Sequence, residues 1–160
     1  MPRKPRTTTD ADPRAAARAQ ALRLLTRREH GRAELLAKLV QRGHARAVGE
    51  QVCDALAAAG LLSEARFVEH FVSVKTGRGA GPAKVRAELR AKGVAAVAID
   101  GALAAAAVDW VARCDAVRRK RFGAALPTVA AERARQARFL QGRGFTSEHI
   151  RRVLKGDIEE

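Results

Sequence analysis

The sequence predicts an all-α protein of three tandem three-helix repeats that form an elongated, curved molecule. Alanine, arginine and leucine dominate its 160 residues and tyrosine is absent, a composition that favours helices over strands. Apolar residues recur at spacings of three and four, as on one face of a helix. A short helical phrase also recurs three times, about fifty residues apart, which is typical of stacked helical repeats.

The repeated phrase occupies residues 34–43, 84–93 and 135–144. Each copy has apolar positions on one helical face, basic residues near its end and a glycine just past it, where a left-handed cap is favoured. Because a unit of this size buries little apolar surface alone, the units are expected to stack in a row. Each copy is followed by a pair of apolar residues four apart, namely Val52 and Leu56, Ile99 and Leu103, and Ile150 and Leu154.

The boundaries of the repeats follow from turn and capping residues. Residues 1–14 are predicted to be a flexible basic tail, and they contain no apolar segment of the kind that a secretory signal needs. The three repeats are assigned to residues 15–62, 63–108 and 109–160. No apolar run approaches the roughly twenty residues that span a bilayer, so no membrane partner is expected.

The first repeat is predicted to begin its first helix after Asp12, at Pro13, because proline suits the first helical turn. That helix should end near residues 28–30. The second helix should run from about Gly31 to Arg42, with its leucines on one face, and the third should end at Gly60.

The second repeat is predicted to open at Ser63 and to contain a loop at residues 77–81, after which Pro82 begins a helix that ends at Gly93. The glycines of this loop lack the Lys-Ser/Thr ending of a nucleotide-binding loop. A flexible turn is therefore favoured. The alternative is that the glycine amides and the helix N-terminus receive one phosphate.

The third repeat is predicted to begin near Asp109 with a helix that ends in the basic run 118–121. Cations at a helix C-terminus are favourably placed against the macrodipole. Pro127 and Thr128 should open the next helix, and Thr146 or Ser147 should cap the last one.

The charge points to a polyanionic partner. The chain has 31 Lys and Arg against 17 Asp and Glu, a formal net charge of +14. The positive excess occurs in the tail and in all three repeats, as expected of a surface that follows a long polyanion. A merely solvated basic surface is the simpler alternative. Because aromatic residues are few, contact with phosphate or with an acidic protein is favoured over base stacking, with little sequence preference and steep salt dependence.

Basic residues cluster on the repeated helix and at the ends of the first helices of repeats one and three. Arg133 and Arg135 are further basic residues of the third copy of that helix. The predicted filament or DNA contacts, here called the contact set, are Arg27, Arg28, Arg32, Lys38, Arg42, Lys84, Arg86, Arg90, Lys92, Arg118, Arg119, Lys120, Arg121, Arg138 and Arg143.

No pattern of residues indicates catalysis. The four histidines are scattered and none pairs with another His or Cys at metal-ligand spacing. The carboxylates look like helix partners, as in the i,i+4 pair of Glu34 with Lys38. Cys53 and Cys114 are expected to be reduced, buried thiols of a cytoplasmic protein. The chain is therefore predicted to be no enzyme and to have no catalytic residue, cofactor or metal.

Several phrases along residues 15 to 155 carry a family resemblance in their order and spacing. They are 21–25 with 27–30, Glu34-Leu35 with Lys38-Leu39, 60–62 with Arg66-Phe67, 79–82, Glu88-Leu89 with Lys92-Gly93, and 138–145 with Ile150. Together they resemble the RecX family, which are bacterial regulators of the RecA recombinase. Three local departures concern caps and packing: Gly31 stands where serine is usual, Ser63-Glu64 replaces an acidic pair, and Val68 replaces a small residue.

The resemblance implies three tandem three-helix repeats and a non-enzymatic function. Such proteins bind in the groove of the RecA–DNA filament and inhibit its growth, ATP hydrolysis, strand exchange and co-protease activity. They thereby modulate DNA repair, homologous recombination and the SOS response, and they also bind DNA. The partners implied are the RecA filament and the DNA backbone, contacted by a cytoplasmic monomer. On this view, replacing Lys38, Arg42 and Arg90 together should weaken filament binding and leave helicity intact.

Two other classes of function also fit the pattern. A helix-turn-helix transcription regulator is compatible with three-helix units and predicts a preferred duplex sequence and a dimer. A helical scaffold for an acidic partner predicts no DNA affinity at moderate salt.

Overall fold

A computed structural model describes residues 11–156, so most of the predicted basic tail, residues 1–10, lies outside the described residues. Within the described range the chain forms nine α-helices and no strand, which confirms the all-α prediction. It divides into two compact units, Met1–Glu64 and Ala65–Glu160. The helices are α1 (Pro13–Arg27), α2 (Arg32–Gln41), α3 (Arg46–Ala58), α4 (Glu64–Gly77), α5 (Pro82–Ala91), α6 (Ala96–Ala105), α7 (Trp110–Phe122), α8 (Ala130–Gly142) and α9 (Ser147–Lys155).

The first unit contains the three-helix domain α1–α3. Its core is aliphatic and draws on the predicted apolar faces, with Leu35, Leu39 and Leu56 wholly buried. The Asp12 carboxylate caps α1 by accepting a hydrogen bond of 3.0 Å from the Arg14 amide. Helix α1 therefore begins at Pro13, inside the stretch 1–14 that the sequence assigned to the tail.

Helix α2 receives its N-terminal cap from a residue distant in sequence. Gly31 occupies the N-cap position and offers no side chain. The Glu64 carboxylate instead accepts a 3.0 Å hydrogen bond from the Arg32 amide. A carboxylate at a helix N-terminus both satisfies an amide and interacts favourably with the helix dipole. Glu64 thus replaces the side-chain cap that the sequence had lost at Gly31.

The second unit contains two three-helix domains, α4–α6 and α7–α9. Phe67, Val85 and Leu89 belong to the buried cluster of the first of these domains. Cys114, Leu140, Phe145 and Ile150 belong to that of the second, together with other apolar residues of α9. Trp110 packs against both clusters. Its indole ring therefore joins the two cores of this unit.

Two glycines bring the backbones of these two domains into direct contact. The Gly81 amide donates to the Arg143 carbonyl at 2.7 Å, and the Ala83 amide donates to the Gly144 carbonyl at 3.0 Å. A Cβ atom on Gly81 would overlap the backbone of Gly144, and one on Gly144 would overlap Lys84. Glycine is required here because of this close approach. The contact holds the start of α5 against the end of α8.

The predicted glycine loop is shorter than the sequence suggested, and less of its backbone is available for the predicted phosphate contact. Helix α4 extends to Gly77, so the connection comprises residues 78–81. The carbonyls of Arg78 and Gly79 accept hydrogen bonds from the Arg143 guanidinium. Since the Gly81 amide is also used, this loop lacks the free amide that the predicted phosphate contact needs at that position. The turn is hydrogen-bonded to Arg143, and its predicted flexibility stays a prediction.

The start of α8 also differs from the prediction. The helix begins at Ala130 with Val129 at its N-cap, not at Pro127-Thr128. Pro127 is buried within an irregular segment that follows α7. By contrast, the predicted helix start near Asp109 and the predicted cap at Thr146 are confirmed. Each side chain accepts a hydrogen bond from a backbone amide of the first turn that follows it.

Substitution of Gly81 by alanine should destabilise the second unit. Because the added methyl group meets backbone that cannot rotate away, the free energy of unfolding should fall by at least about 2 kcal/mol. Gly101, inside α6, has open space around a Cβ. The Gly101→Ala variant should instead gain about 0.5–1 kcal/mol, because alanine loses less entropy in a helix. Urea unfolding followed by circular dichroism compares the two, and equal effects would contradict the backbone contact.

Candidate binding surface

A cluster of charged residues holds two members of the contact set in the first unit. Arg28 donates to both carboxylate oxygens of Glu34, at 2.5 and 3.2 Å. The Lys38 ammonium lies 3.6 Å from the same carboxylate. The hydrogen bond to Glu34 raises the pKa of Arg28. Arg28 and Lys38 are therefore positioned by a shared acid and are only partly available to a partner.

His30 completes this cluster from the interior. Its side chain is only 1% exposed, and its Nδ1 lies 3.0 Å from the Arg28 carbonyl. Its Nε2 lies 3.1 Å from the Lys38 ammonium. Since an ammonium only donates, Nε2 accepts and the proton resides on Nδ1, which donates to the carbonyl. Burial lowers the pKa of His30, in keeping with a neutral ring beside a cation.

Three other cations of the contact set form ion pairs on or near the surface. Arg32 pairs with Asp54, at 2.7 Å, and Arg86 with Asp100, at 2.8 Å. Arg119 pairs with Asp115, whose carboxylate is largely buried. Exposed pairs of this kind contribute about 0–1 kcal/mol, so a polyanion can compete for the first two cations at little cost. Their charge remains usable for binding.

Six cations of the contact set are exposed and make neither an ion pair nor a contact with an aromatic ring among the described residues. Two of them precede or flank α2, two lie on α5 and one lies on each of α7 and α8. They are Arg27, Arg42, Lys84, Arg90, Lys120 and Arg138. These are the strongest candidates for phosphate or carboxylate contact, because no internal acid must be displaced.

Arg118 does not belong on this surface, although the sequence placed it in the contact set. Its side chain is wholly buried. The guanidinium donates to Asp115 at 3.0 Å and to the carbonyls of Gly123, Ala124 and Ala125 at 3.0–3.2 Å. All its nitrogens are thereby satisfied inside the protein. Arg118 thereby holds the beginning of the irregular segment that follows α7.

Arg143 is also used internally. Its guanidinium donates to the carbonyls of Arg78 and Gly79, at 2.5 and 3.3 Å. The side chain is only partly exposed. Arg143 therefore secures the contact between the two domains of the second unit, and its charge faces a partner only in part.

The structure brings aromatic and basic residues together in a way that sequence reasoning missed. Phe122 and Phe139 meet edge to face, with ring centroids 5.2 Å apart. Arg121 lies over both rings, and Arg135 lies over Phe122. Elsewhere in the same unit the Lys92 ammonium lies 5.9 Å from the ring centroid of Phe71. These contacts orient the cations. Apart from Arg121 over Phe122, which are neighbours on α7, the partners lie on different helices or beyond a helix end, so no spacing along the chain signals them.

Neither metal nor thiol chemistry finds support in the described residues. Residues 11–156 contain no group of three or more His, Cys, Asp or Glu side chains that could hold a metal ion. Burial raises the pKa of the Cys114 thiol to about 12 and also raises that of Cys53. Both thiols are therefore protonated and unreactive at neutral pH. No described helix is both long and apolar enough for a membrane crossing.

Comparison with known proteins identifies the family. The models described as the first, second and third three-helix domains of RecX match residues 17–56, 63–103 and 108–154. The chain belongs to the RecX family. The regulatory protein RecX of Halorhodospira halophila is 52% identical over 145 residues, which cover 91% of this chain and 90% of that protein. RecX of Pseudomonas fluorescens is 45% identical over 149 residues, covering 93% and 96%.

Solved RecX structures share the fold. A crystal structure of RecX from Lactobacillus salivarius has a TM-score of 0.77 at 18% identity and covers 91% of this chain and 97% of that one. A second RecX crystal structure has a TM-score of 0.76, also at 18% identity, and covers 91% and 73%. These likenesses concern the fold. The relatives are named regulatory proteins.

Replacement of Arg118 by methionine should unfold the third RecX domain readily. It leaves Asp115 and three carbonyls without their common donor, so the free energy of unfolding should fall by about 3–5 kcal/mol. Lys120→Met, which removes the same charge from an exposed position two residues away, should change it little. Chemical denaturation of both variants checks this. An Arg118→Met protein as stable as Lys120→Met would contradict the buried role.

The first unit should lose stability in mild acid because of His30. Its pKa lies below the ordinary value of 6.5 in the folded chain, so the unfolded chain binds the proton at higher pH. The free energy of unfolding should therefore be level above pH 6.5 and should fall as the pH drops towards the lowered pKa. Burial also lowers the pKa of His149, so part of the pH dependence should remain when His30 is replaced. The His30→Gln variant should thus show a shallower pH dependence than the parent, and an identical slope would count against this assignment.

Proposed function

We propose that this chain binds the RecA–DNA filament and inhibits RecA recombinase, ATPase and co-protease activity, thereby modulating DNA repair, recombination and the SOS response. It would act in the cytoplasm as a monomer, without a cofactor and without catalysis. The observation that carries the proposal is the match of all three domains, over most of the chain, to a family of regulatory proteins. The charge and its placement on the described helices support the same function.

Exposed cations on equivalent helices supply the contacts. Arg42 flanks α2, Lys84 and Arg90 lie on α5, and Arg138 lies on α8, each of which is the second helix of its domain. All four are exposed and make no ion pair with a described residue. Each would contribute one phosphate or carboxylate contact. Several weak contacts on one chain act together, because the first that forms raises the effective concentration of the others.

Such a mode of binding accounts for regulation without an active site. A ligand that contacts several protomers or phosphates at once stays bound longer than any single contact permits. While bound, it occludes incoming DNA or blocks filament extension. The effect then depends on filament ends and grooves, not on the amount of free DNA. Inhibition by far fewer molecules than would coat the DNA is the signature of this mechanism.

The test is DNA-dependent ATP hydrolysis by RecA on single-stranded DNA, with this protein added far below the RecA concentration and with DNA in excess. A steep fall in the rate supports the filament-directed function. A fall only when the protein is abundant enough to coat the DNA would contradict it and would indicate a general basic DNA-binding protein. Footprints on random duplexes in the same preparation detect any sequence preference, which the transcription-regulator alternative requires.

Neutralising Arg42, Arg90 and Arg138 together by substitution with glutamine should weaken filament inhibition and DNA binding. If each contacts one phosphate, the slope of log affinity for single-stranded DNA against log salt should become shallower by about 2. Helical content should not change, because all three side chains are exposed and form no ion pair within the described chain. Fluorescence anisotropy at several salt concentrations measures the slope.

The matched control removes the same charge from other exposed positions. Arg14, Arg18 and Arg113 lie on α1 and α7, outside the contact set. Their replacement by glutamine lowers the net charge equally but should leave most of the inhibition and of the salt slope in place. Equal losses in the two triple variants would show that only the total charge matters, and would contradict contact by the second helices.

A further inference from the structure

We propose that the groove between α8 and α9 is a docking site for an acidic amphipathic segment of a partner protein. The groove has a volume of about 890 Å³ and is lined by residues of these two helices only. No member of the contact set lines it. The proposal therefore goes beyond the function proposed above and does not depend on the cations assigned there to DNA or the filament.

The floor of the groove is aliphatic. Ala130, Ala134 and Ala137 form one wall along α8, while Ile150 and Leu154 contribute the floor from α9. Ile150 and Leu154 are 7% and 9% exposed, so their remaining surface faces the groove. Short alanine side chains leave room for apolar side chains from outside. A groove of this volume accommodates one or two large apolar anchors, as in the docking of an amphipathic helix.

The rim of the groove is basic. Arg133 on α8 and Arg151 and Lys155 on α9 line it, and all three are exposed. None makes an ion pair with a described residue, and no carboxylate is among the lining residues. Gln141 and Ser147 add only neutral polar groups. An occupant with carboxylates flanking its apolar side chains would complement both the rim and the floor.

The apolar surface continues past one end of the groove. Val129 directly precedes Ala130 and is 62% exposed, and Leu126 is 42% exposed. A Cβ atom on Gly156, which follows Lys155, would lie 3.3 Å from the Leu126 side chain. The exposed apolar residues thus border the groove where α8 begins and α9 ends. Large apolar side chains grouped beside a groove indicate an interaction surface more strongly than isolated ones do.

The lining favours a peptide over a nucleic acid. No aromatic side chain lines the groove, so it offers no platform on which a base could stack. A sugar-phosphate backbone would use the three cations but leave the aliphatic floor unfilled. An acidic segment with apolar anchors uses both. The cations then set orientation and association rate, while the anchors supply most of the affinity.

The test uses the full-length chain and a synthetic helical peptide of about twelve residues, with a leucine and a phenylalanine four apart and flanking glutamates. Amide chemical shifts of the isotope-labelled protein locate the binding, and fluorescence anisotropy measures the affinity. Shift changes should be confined to α8, α9 and the segment before α8. A peptide with both anchors replaced by serine, and one with the glutamates replaced by glutamine, should each bind at least about tenfold more weakly.

Two pairs of variants test the groove itself. Ala134→Glu places a carboxylate inside it, whereas Ala131→Glu makes the same change on α8 at an exposed position that does not line it. Arg151→Gln with Lys155→Gln removes rim charge, whereas Arg14→Gln with Arg18→Gln removes equal charge from exposed positions on α1. The first member of each pair should lower affinity by about tenfold or more and the second by less than about twofold. Equal losses within either pair would overturn the proposal.

Other occupants give distinct results. A single-stranded oligonucleotide that shifts the same amides and displaces the peptide would make the groove a phosphate site and overturn the proposal. The sequence after the groove, Asp157 to Glu160, is itself acidic. A variant with these carboxylates neutralised is compared with the parent chain. If its α8 and α9 amide shifts differ from those of the parent, and the peptide binds neither of the two, the chain's own segment is the occupant and the proposal fails. RecA ATPase inhibition by Ala134→Glu is measured separately, so failure of the docking site and failure of the proposed function are distinguishable.

Discussion

The close approach of Gly81 and Gly144 is the constraint on which the second unit depends. Hydrogen bonds from the Gly81 and Ala83 amides tie the start of α5 to the end of α8, at a spacing that leaves no room for a side chain. Arg143 reinforces this contact through the carbonyls of the preceding turn. Because backbone contacts of this kind do not adjust to a new side chain, they define one arrangement of the two domains. The cations of α5 and α8 thereby keep a fixed position relative to one another.

Electrostatic contacts divide the positive charge between internal and external roles. Arg118 stabilises the chain from within, and its guanidinium replaces backbone hydrogen bonds that a regular helix would make after α7. Glu34 gathers Arg28 and Lys38 beside a neutral, buried His30. Other cations lie on the surface without an acidic partner. A polyanion can bind them without displacing a carboxylate of the protein. The count of 31 Lys and Arg thus overstates the number of cations that are free to bind.

The described chain offers two chemically different surfaces. Exposed cations on the second helices of the domains suit phosphate or carboxylate groups. Each contact would be weak and sensitive to salt, so binding would depend on several of them together. The groove between α8 and α9 combines an aliphatic floor with a basic rim. It suits an apolar side chain that becomes buried on binding. A regulator with both kinds of surface can combine weak, long-range attraction with a local anchor. The same helix, α8, contributes residues to each.

The sequence by itself determined the class of fold, the order of the helices, some of their caps and the family. Asp109, Thr146 and Pro82 mark helix starts because a side-chain acceptor or a preset φ acts within one turn, and such local effects are legible in the chain. Tertiary structure alone decided that Glu64 caps α2, that Arg118 is buried, and that α8 begins after Pro127. It alone also assembled the α8/α9 groove. Some of these features arise from contacts between residues that are distant in sequence or on different helices. The burial of Arg118 depends on whether its guanidinium bonds to solvent or to backbone carbonyls. Neither kind of contact leaves a periodic signal in the sequence.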